Sequence, residues 1–236
     1  MFTAERIQKQ YGHVVALSAF SVELWPGTVT VLMGPSGGGK STALRALSLL
    51  EPPDSGSITI DTETFRFPDA RVPATVWPRV TVVFQQLFLW PHLSIWENIT
   101  LPIQDGLTAA KTARLEAFAH RLGIAHVLKS WPNQVSGGQR QRAALIRALM
   151  LEPKYLLLDE ITAALDVEHV RIVGELLREE RDQGMAILVA THLGGFAKAV
   201  ADRVVFLDGG AVLEQGNREV LTSPQHPRVR RFLAML

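Results

Sequence analysis

The sequence predicts an α/β fold built on a mostly parallel sheet, and three observations carry that prediction. Four continuous apolar runs, at 80–84, 155–158, 185–190 and 204–207, have the composition of strands buried on both faces. Helical patterns at 109–122, 139–150 and 167–181 separate several of them, and strands alternating with helices build such a sheet. A further β-branched run, Thr28-Val29-Thr30-Val31-Leu32-Met33, leads through a glycine-rich loop into a helical stretch that starts at Thr42. That order is the setting in which G-x-x-x-x-G-K-[ST] cradles a phosphate.

Taken in order, residues 14–33 alternate and turn like short strands, with Trp25-Pro26-Gly27 as punctuation. The loop Gly34-Pro35-Ser36-Gly37-Gly38-Gly39-Lys40-Ser41-Thr42 follows. Glycines let successive N–H groups point at one anion, and the helix that starts there adds free donors and partial positive charge. Lys40 supplies a full charge for the β- and γ-phosphates, and the Ser41 hydroxyl is placed to bind Mg²⁺. Past the turn at 52–56, Ser57-Ile58-Thr59-Ile60-Asp61 reads as a strand, and 62–78 as irregular. The block 87–151 holds two helical patterns and no convincing strand, so it reads as a helical insertion into a core made of 1–86 and 152–236.

Polar residues stand where the apolar runs end. Gln85 follows Phe84, Asp159 and Glu160 follow Leu158, and His192 lies two residues past Ala190. Open α/β sheets bind ligands at the carboxyl ends of their strands, so four strand ends bring Lys40 and Ser41, Gln85, Asp159 and Glu160, and His192 to one edge. There Asp159 would hold the metal through its shell, and Glu160 would orient and deprotonate a water. The Gln85 amide would reach metal and water, and His192 would donate to a phosphate oxygen or to Glu160. In Ser136-Gly137-Gly138-Gln139, Ser136 and Gln139 form a capping box that opens the helix 139–150. The two glycines bare that N-terminus as a second anion site, which lacks the Lys and acids to hold a nucleotide alone. Such a half-site makes sense closing over phosphates held elsewhere, for instance on a second copy.

Composition narrows the setting. In 236 residues that are 47% hydrophobic there is ample material for a core. A net charge of +1 gives no bulk field to recruit nucleic acid or anionic membrane. The absence of cysteine excludes disulfides and thiolate metal sites and fits a cytosolic protein. The N-terminal residues lack a signal-peptide apolar run, and no stretch is long enough to span a membrane. A role in a membrane process would therefore pass through a partner.

In these residues the chain resembles the ATPase subunits of ABC systems over nearly its whole length. The matches come in family order: Tyr11 where the adenine-stacking aromatic belongs, the Walker A loop Gly34–Thr42, and Gln85 as the Q-loop. The signature follows at Ser136–Gln139, then Walker B with Glu160, Ala164-Leu165-Asp166 as the D-loop, and His192 as the H-loop. Three positions depart from the family pattern: Val135 for Leu, Ile161 for Pro and Ala163 for Ser. The resemblance implies a P-loop NTPase (RecA-like) core with an antiparallel β subdomain and an inserted helical subdomain. It also implies ATP and Mg²⁺ as ligands, and a head-to-tail homodimer in which each ATP lies between one Walker A and the other signature. The dimer would drive transmembrane permease subunits from the cytoplasmic face of the membrane, with no nucleic acid involved. The stretches 84–98 and 226–233 resemble the polar amino-acid uptake branch, which implies a solute-binding protein in the same system. Part of the aromatic cluster Phe88, Trp90 and Trp96 would line a groove for the membrane subunit. An exporter or lipid-handling ATPase, a soluble clamp acting on nucleic acid and a P-loop kinase are the alternatives. A kinase has no use for the signature, and a clamp usually carries coiled coils or a second cassette.

Overall fold

Strands buried on both faces need two layers to cover them, and the chain supplies both. In the computed structural model, which describes residues 1–103 and 106–236, a four-stranded antiparallel sheet contains β1 (Phe2–Tyr11), β2 (Val14–Leu24), β4 (Ser55–Ile60) and β5 (Glu63–Phe67) in the order β2-β1-β4-β5. A six-stranded sheet contains β3 (Val29–Met33), β6 (Val80–Val83), β7 (Tyr155–Asp159), β8 (Ala186–Ala190), β9 (Arg203–Asp208) and β10 (Ala211–Asn217) in the order β10-β9-β3-β8-β7-β6. Its strands are parallel except β10, which returns antiparallel to β9.

Alternate residues of the parallel strands serve different cores. Leu32, Leu157, Leu188 and Val205 face the apolar side of the antiparallel sheet and helix α1 (Lys40–Leu47). Val31, Leu156, Val189 and Val204 face the opposite layer, which includes α4 (Gly137–Leu149), α5 (Val167–Asp182), α6 (Gly194–Val200) and α7 (Pro227–Leu233). This two-sided burial is why the runs read as continuous rather than alternating.

The segment 87–151 contains α2 (Ile95–Thr100), α3 (Ala109–Arg121) and α4. The short α2 is an addition to the two expected helices. Only six residues long, it is held by a capping box in which Ser94 accepts from Glu97 N–H and Glu97 accepts from Ser94 N–H. Buried Asn98 accepts from Trp90 N–H (2.7 Å) and donates to the carbonyls of Leu93 and Ser94, ordering the turn before it. The stretch 62–78 is not wholly irregular: β5 pairs along the edge of β4 with Phe65 and Phe67 turned inward. Prolines 68, 73 and 78 close behind it hide the signal. β1 and β10 are likewise strands that period-two reading does not find.

One polar knot joins the two sheets. Asp61, past the end of β4, accepts from Lys154 Nζ and Tyr155 Oη, both at 2.6 Å. Partial burial works against its charge, but these donors and the terminal amine hold the Asp61 carboxyl down at about 2, below its usual 3.8. A depressed folded value means the stabilisation is whole above the unfolded pKa and is lost as pH falls through 2. Asp61→Asn is therefore expected to cost about 1–2 kcal/mol at neutral pH. Urea titrations should show that difference shrinking between pH 4 and pH 2; a gap independent of pH would refute the charge as its source.

Candidate functional site

The glycine loop is shaped by what surrounds it. Gly34 has φ +147°, and a Cβ there would sit 1.9 Å from the Leu207 carbonyl oxygen of β9. Gly39, the N-cap of α1 at φ +105°, would place a Cβ 2.6 Å from the Ala16 carbonyl oxygen of β2. The loop is thus clasped between both sheets and tolerates no side chain at either point. Inside it, Lys40 is 8% exposed and donates through Nζ to the carbonyls of Gly34 (2.8 Å) and Pro35 (3.0 Å).

The strand ends converge as the pattern requires. Gln85 follows β6, Glu160 follows β7, and His192 follows β8. With Ser36, Lys40 and Ser41 these residues line one cavity of about 400 Å³. Glu160 has φ +50°, and its N–H donates to the Ala190 carbonyl (3.0 Å), extending the β7–β8 ladder by one residue. His192 Nδ1 lies 2.9 Å from Glu160 Oε2, off the hydrogen-bonding direction, so that this buried oxygen has no hydrogen-bond partner.

Asp159 lies deeper, 3% exposed, on an adjoining cavity of about 460 Å³ that shares Ser41 and Gln85 with the first. Burial pushes its carboxyl up. The Ser41 hydroxyl and the charges of Lys40 and Arg45 work the other way, while neighbouring Glu160 adds to the rise. Its Oδ1 is buried without a partner. A desolvated carboxylate oxygen beside a hydroxyl and an amide is a hard oxygen donor set that a divalent cation such as Mg²⁺ fits.

Two groups of sequence-derived residues stand apart from this cavity. Tyr11, 43% exposed, pairs with Val14 across the β1–β2 hairpin and donates through its hydroxyl to Glu51 (2.5 Å). Val14, rather than Tyr11, lines the cavity. Ser136, Gly137, Gly138 and Gln139 do not line it either. They form the start of α4, where Ser136 Oγ accepts from Gln139 N–H (3.2 Å) and Gln139 Oε1 accepts from Ser136 N–H (2.8 Å). Other lining residues escaped the sequence reading, among them Val15, Ala16, Gly209 and Gly210. The glycines form the β9–β10 turn, and Gly210 N–H donates to the Gly38 carbonyl (3.1 Å). Paired glycines between two strands are a hairpin signal that would have located them.

A family model described as ABC transporter matches residues 17–163, from the approach to the phosphate loop to just past Glu160. The chain belongs to the ABC transporter family. This ABC ATPase is 38% identical to the arginine transport ATP-binding protein ArtM of Bacillus subtilis, over 99% of its own length and 98% of that protein's. It is 39% identical to the glutamate/aspartate import ATP-binding protein GltL of Escherichia coli K12, over 100% of its own length and 99% of that protein's. Among solved structures, a dimeric bacterial ABC transporter cassette superposes with a TM-score of 0.82 at 28% identity, over 92% of this chain and 99% of that one. A post-hydrolysis dimer of the same cassette, bound to ADP and Pi, also superposes at 0.82, with 27% identity over the same shares. The core of this ABC ATPase is the P-loop NTPase architecture expected from its motifs, with the antiparallel sheet beside it. It is an ATP-binding, ATP-hydrolysing subunit, and among the described residues no helix is long and apolar enough to cross a membrane. Of its departures, Ile161 packs in the core and Ala163 faces the cavity.

Proposed function

We propose that this subunit powers the uptake of polar amino acids, hydrolysing MgATP at two composite sites formed by two head-to-tail copies. The carrying observation is that Lys40, Ser41, Gln85, Glu160 and His192 share one cavity from which the Ser136–Gln139 helix start is excluded. A helix start with bare donors that lies outside its own chain's phosphate-loop cavity is suited to the γ-phosphate held by another copy. The dimeric state of the similar cassettes supports this reading.

Within each site, the N–H groups of Ser36–Thr42 cradle the phosphates and Lys40 faces the β- and γ-oxygens, while Tyr11, outside this cavity and paired with Val14 at its edge, is left to meet adenine beyond it. Ser41, Gln85 and Asp159 would hold Mg²⁺. When bound, the cation offsets phosphate charge and the burial cost of Asp159. Glu160 takes a proton from water as its oxygen attacks the γ-phosphorus and ADP departs. His192 holds Glu160 and the developing charge in place.

Amino acids as cargo are supported by the full-length similarity to arginine and glutamate/aspartate subunits. The membrane partner is a transmembrane permease, which this subunit meets at the cytoplasmic face and which a solute-binding protein feeds. Its docking surface includes exposed Trp90 (53%), Leu101 (58%) and Trp77 (38%), beside a cavity of about 210 Å³. Phe88 is exposed too, whereas Trp96 packs on the core.

Specific activity of the isolated protein is expected to rise with its concentration, and Ser136→Ala with Gly138→Asp to abolish that rise. Turnover strictly first-order in a monomer, indifferent to both changes, would overturn the composite site. For the cargo, a native complex containing a permease and an amino-acid-binding protein is the expected isolate.

A further inference from the structure

Gln141 lies two residues past the signature, on α4, and is 4% exposed. Helix-facing amides in a core are costly unless both ends are satisfied. Both ends here are spent on one loop. Nε2 donates to the Glu160 carbonyl (2.9 Å), and Oε1 accepts from Ala164 N–H (3.1 Å). The same carbonyl accepts from Ala163 N–H (3.1 Å), so the turn 160–163 and the amide converge on one oxygen. Glu160 occupies φ +50°, a region unfavourable for a residue with a side chain and held only where its surroundings fix it. A second contact joins the same elements: a Cβ at Gly138 would come within 2.7 Å of the Ala164 carbonyl oxygen, so that glycine seats the loop on the helix.

We propose that Gln141 is a positioning residue: its amide fixes the backbone of the Glu160–Ala164 loop and ties it to the helix start at Ser136–Gln139. On the composite-site reading above, Glu160 serves one ATP and that helix start serves the other. Gln141 is then a direct link by which one subunit's contact with its partner's phosphate sets the aim of its own Glu160. No proton or electron passes through it.

Two variants of the full-length protein test this. Gln141→Met keeps length and apolar stem and removes both hydrogen bonds. Gln141→Glu keeps the acceptor for Ala164 N–H and sets an oxygen against the Glu160 carbonyl. The expected result is a kcat lower by fivefold or more in both, with the ATP Kd within twofold of wild type. In a Glu160→Gln background, Gln141→Met is expected to lower kcat by less than twofold, because there is no base left to misalign. A folded variant whose kcat falls less than fivefold overturns the proposal, as does a weakened ATP Kd or a full further loss in the double variant. If Gln141→Met does not fold, Gln141→Glu decides by the same threshold. Failure of the composite site would show separately, as turnover independent of concentration in the unmodified protein.

Discussion

Glu160→Gln is expected to lower ATP turnover by about 10²–10⁴-fold, the usual weight of a general base, and to leave an ATP-bound dimer that no longer comes apart. The exchange keeps size and shape, and the position is pinned through its main chain rather than its side chain. Its N–H is held by Ala190 and its carbonyl by Ala163 and Gln141, none of which the change touches. The loop and the phosphate cradle therefore stay as they are, and binding persists. What disappears is the oxygen beside His192, 2.9 Å away, which can accept a proton. A neutral amide also removes negative charge next to the γ-phosphate and next to buried Asp159, so closure of the two copies becomes easier while cleavage becomes harder. Phosphate release measures the first effect, and light scattering with ATP present measures the second. A variant that hydrolyses at full rate would remove Glu160 as the base. One that no longer binds ATP would make the carboxylate part of the binding site instead.

Most of this site was legible because a parallel sheet ties chemistry to strand order. β3, β6, β7 and β8 each bury both faces, so each leaves a continuous apolar run, and the first polar residues after it fall on one edge. The antiparallel sheet was harder for the opposite reason. β1 shows solvent one face, and its register slips between Ala4 and Ile7, with Arg6 at φ +48°, so the alternation is broken where it would have been read. β10 follows its short apolar start, half-buried Ala211-Val212-Leu213, with Glu214 and Gln215, too brief a run to stand out as a strand. At the site, the Gly209–Gly210 turn and Gln141 went unassigned for a further reason. Their roles come from contacts with Gly38, Glu160 and Ala164, partners that meet only through the fold. Ser136 is the contrasting case, where a local capping pattern alone identified the cap and its Gln139 partner, although α4 itself begins at Gly137 rather than at Gln139.

Lys40→Ala is expected to weaken ATP binding by about 10²–10³-fold, and two opposing terms set that size. A cation about 3 Å from a phosphate oxygen gains roughly 5 kcal/mol at an effective dielectric near 20. Before ATP arrives, however, the ammonium is already held by the Gly34 and Pro35 carbonyls at 2.8 and 3.0 Å. Giving up those contacts costs roughly 1–2 kcal/mol, so the net contribution is about 3–4 kcal/mol. The parked contacts also hold the lysine against the loop rather than out in solvent. Removing the side chain therefore leaves two loop carbonyls without their donor, and the variant should be slightly less stable without nucleotide as well as blind to it. Lys40→Arg should not restore binding, because a planar guanidinium does not fit where an ammonium is 8% exposed between Gly34 and Pro35. Titration calorimetry with ATP and Mg²⁺ gives the affinities directly. An affinity for Lys40→Ala within threefold of wild type would mean that the main-chain donors of the glycine loop and the start of α1 hold the triphosphate without it, and that the lysine acts only after binding.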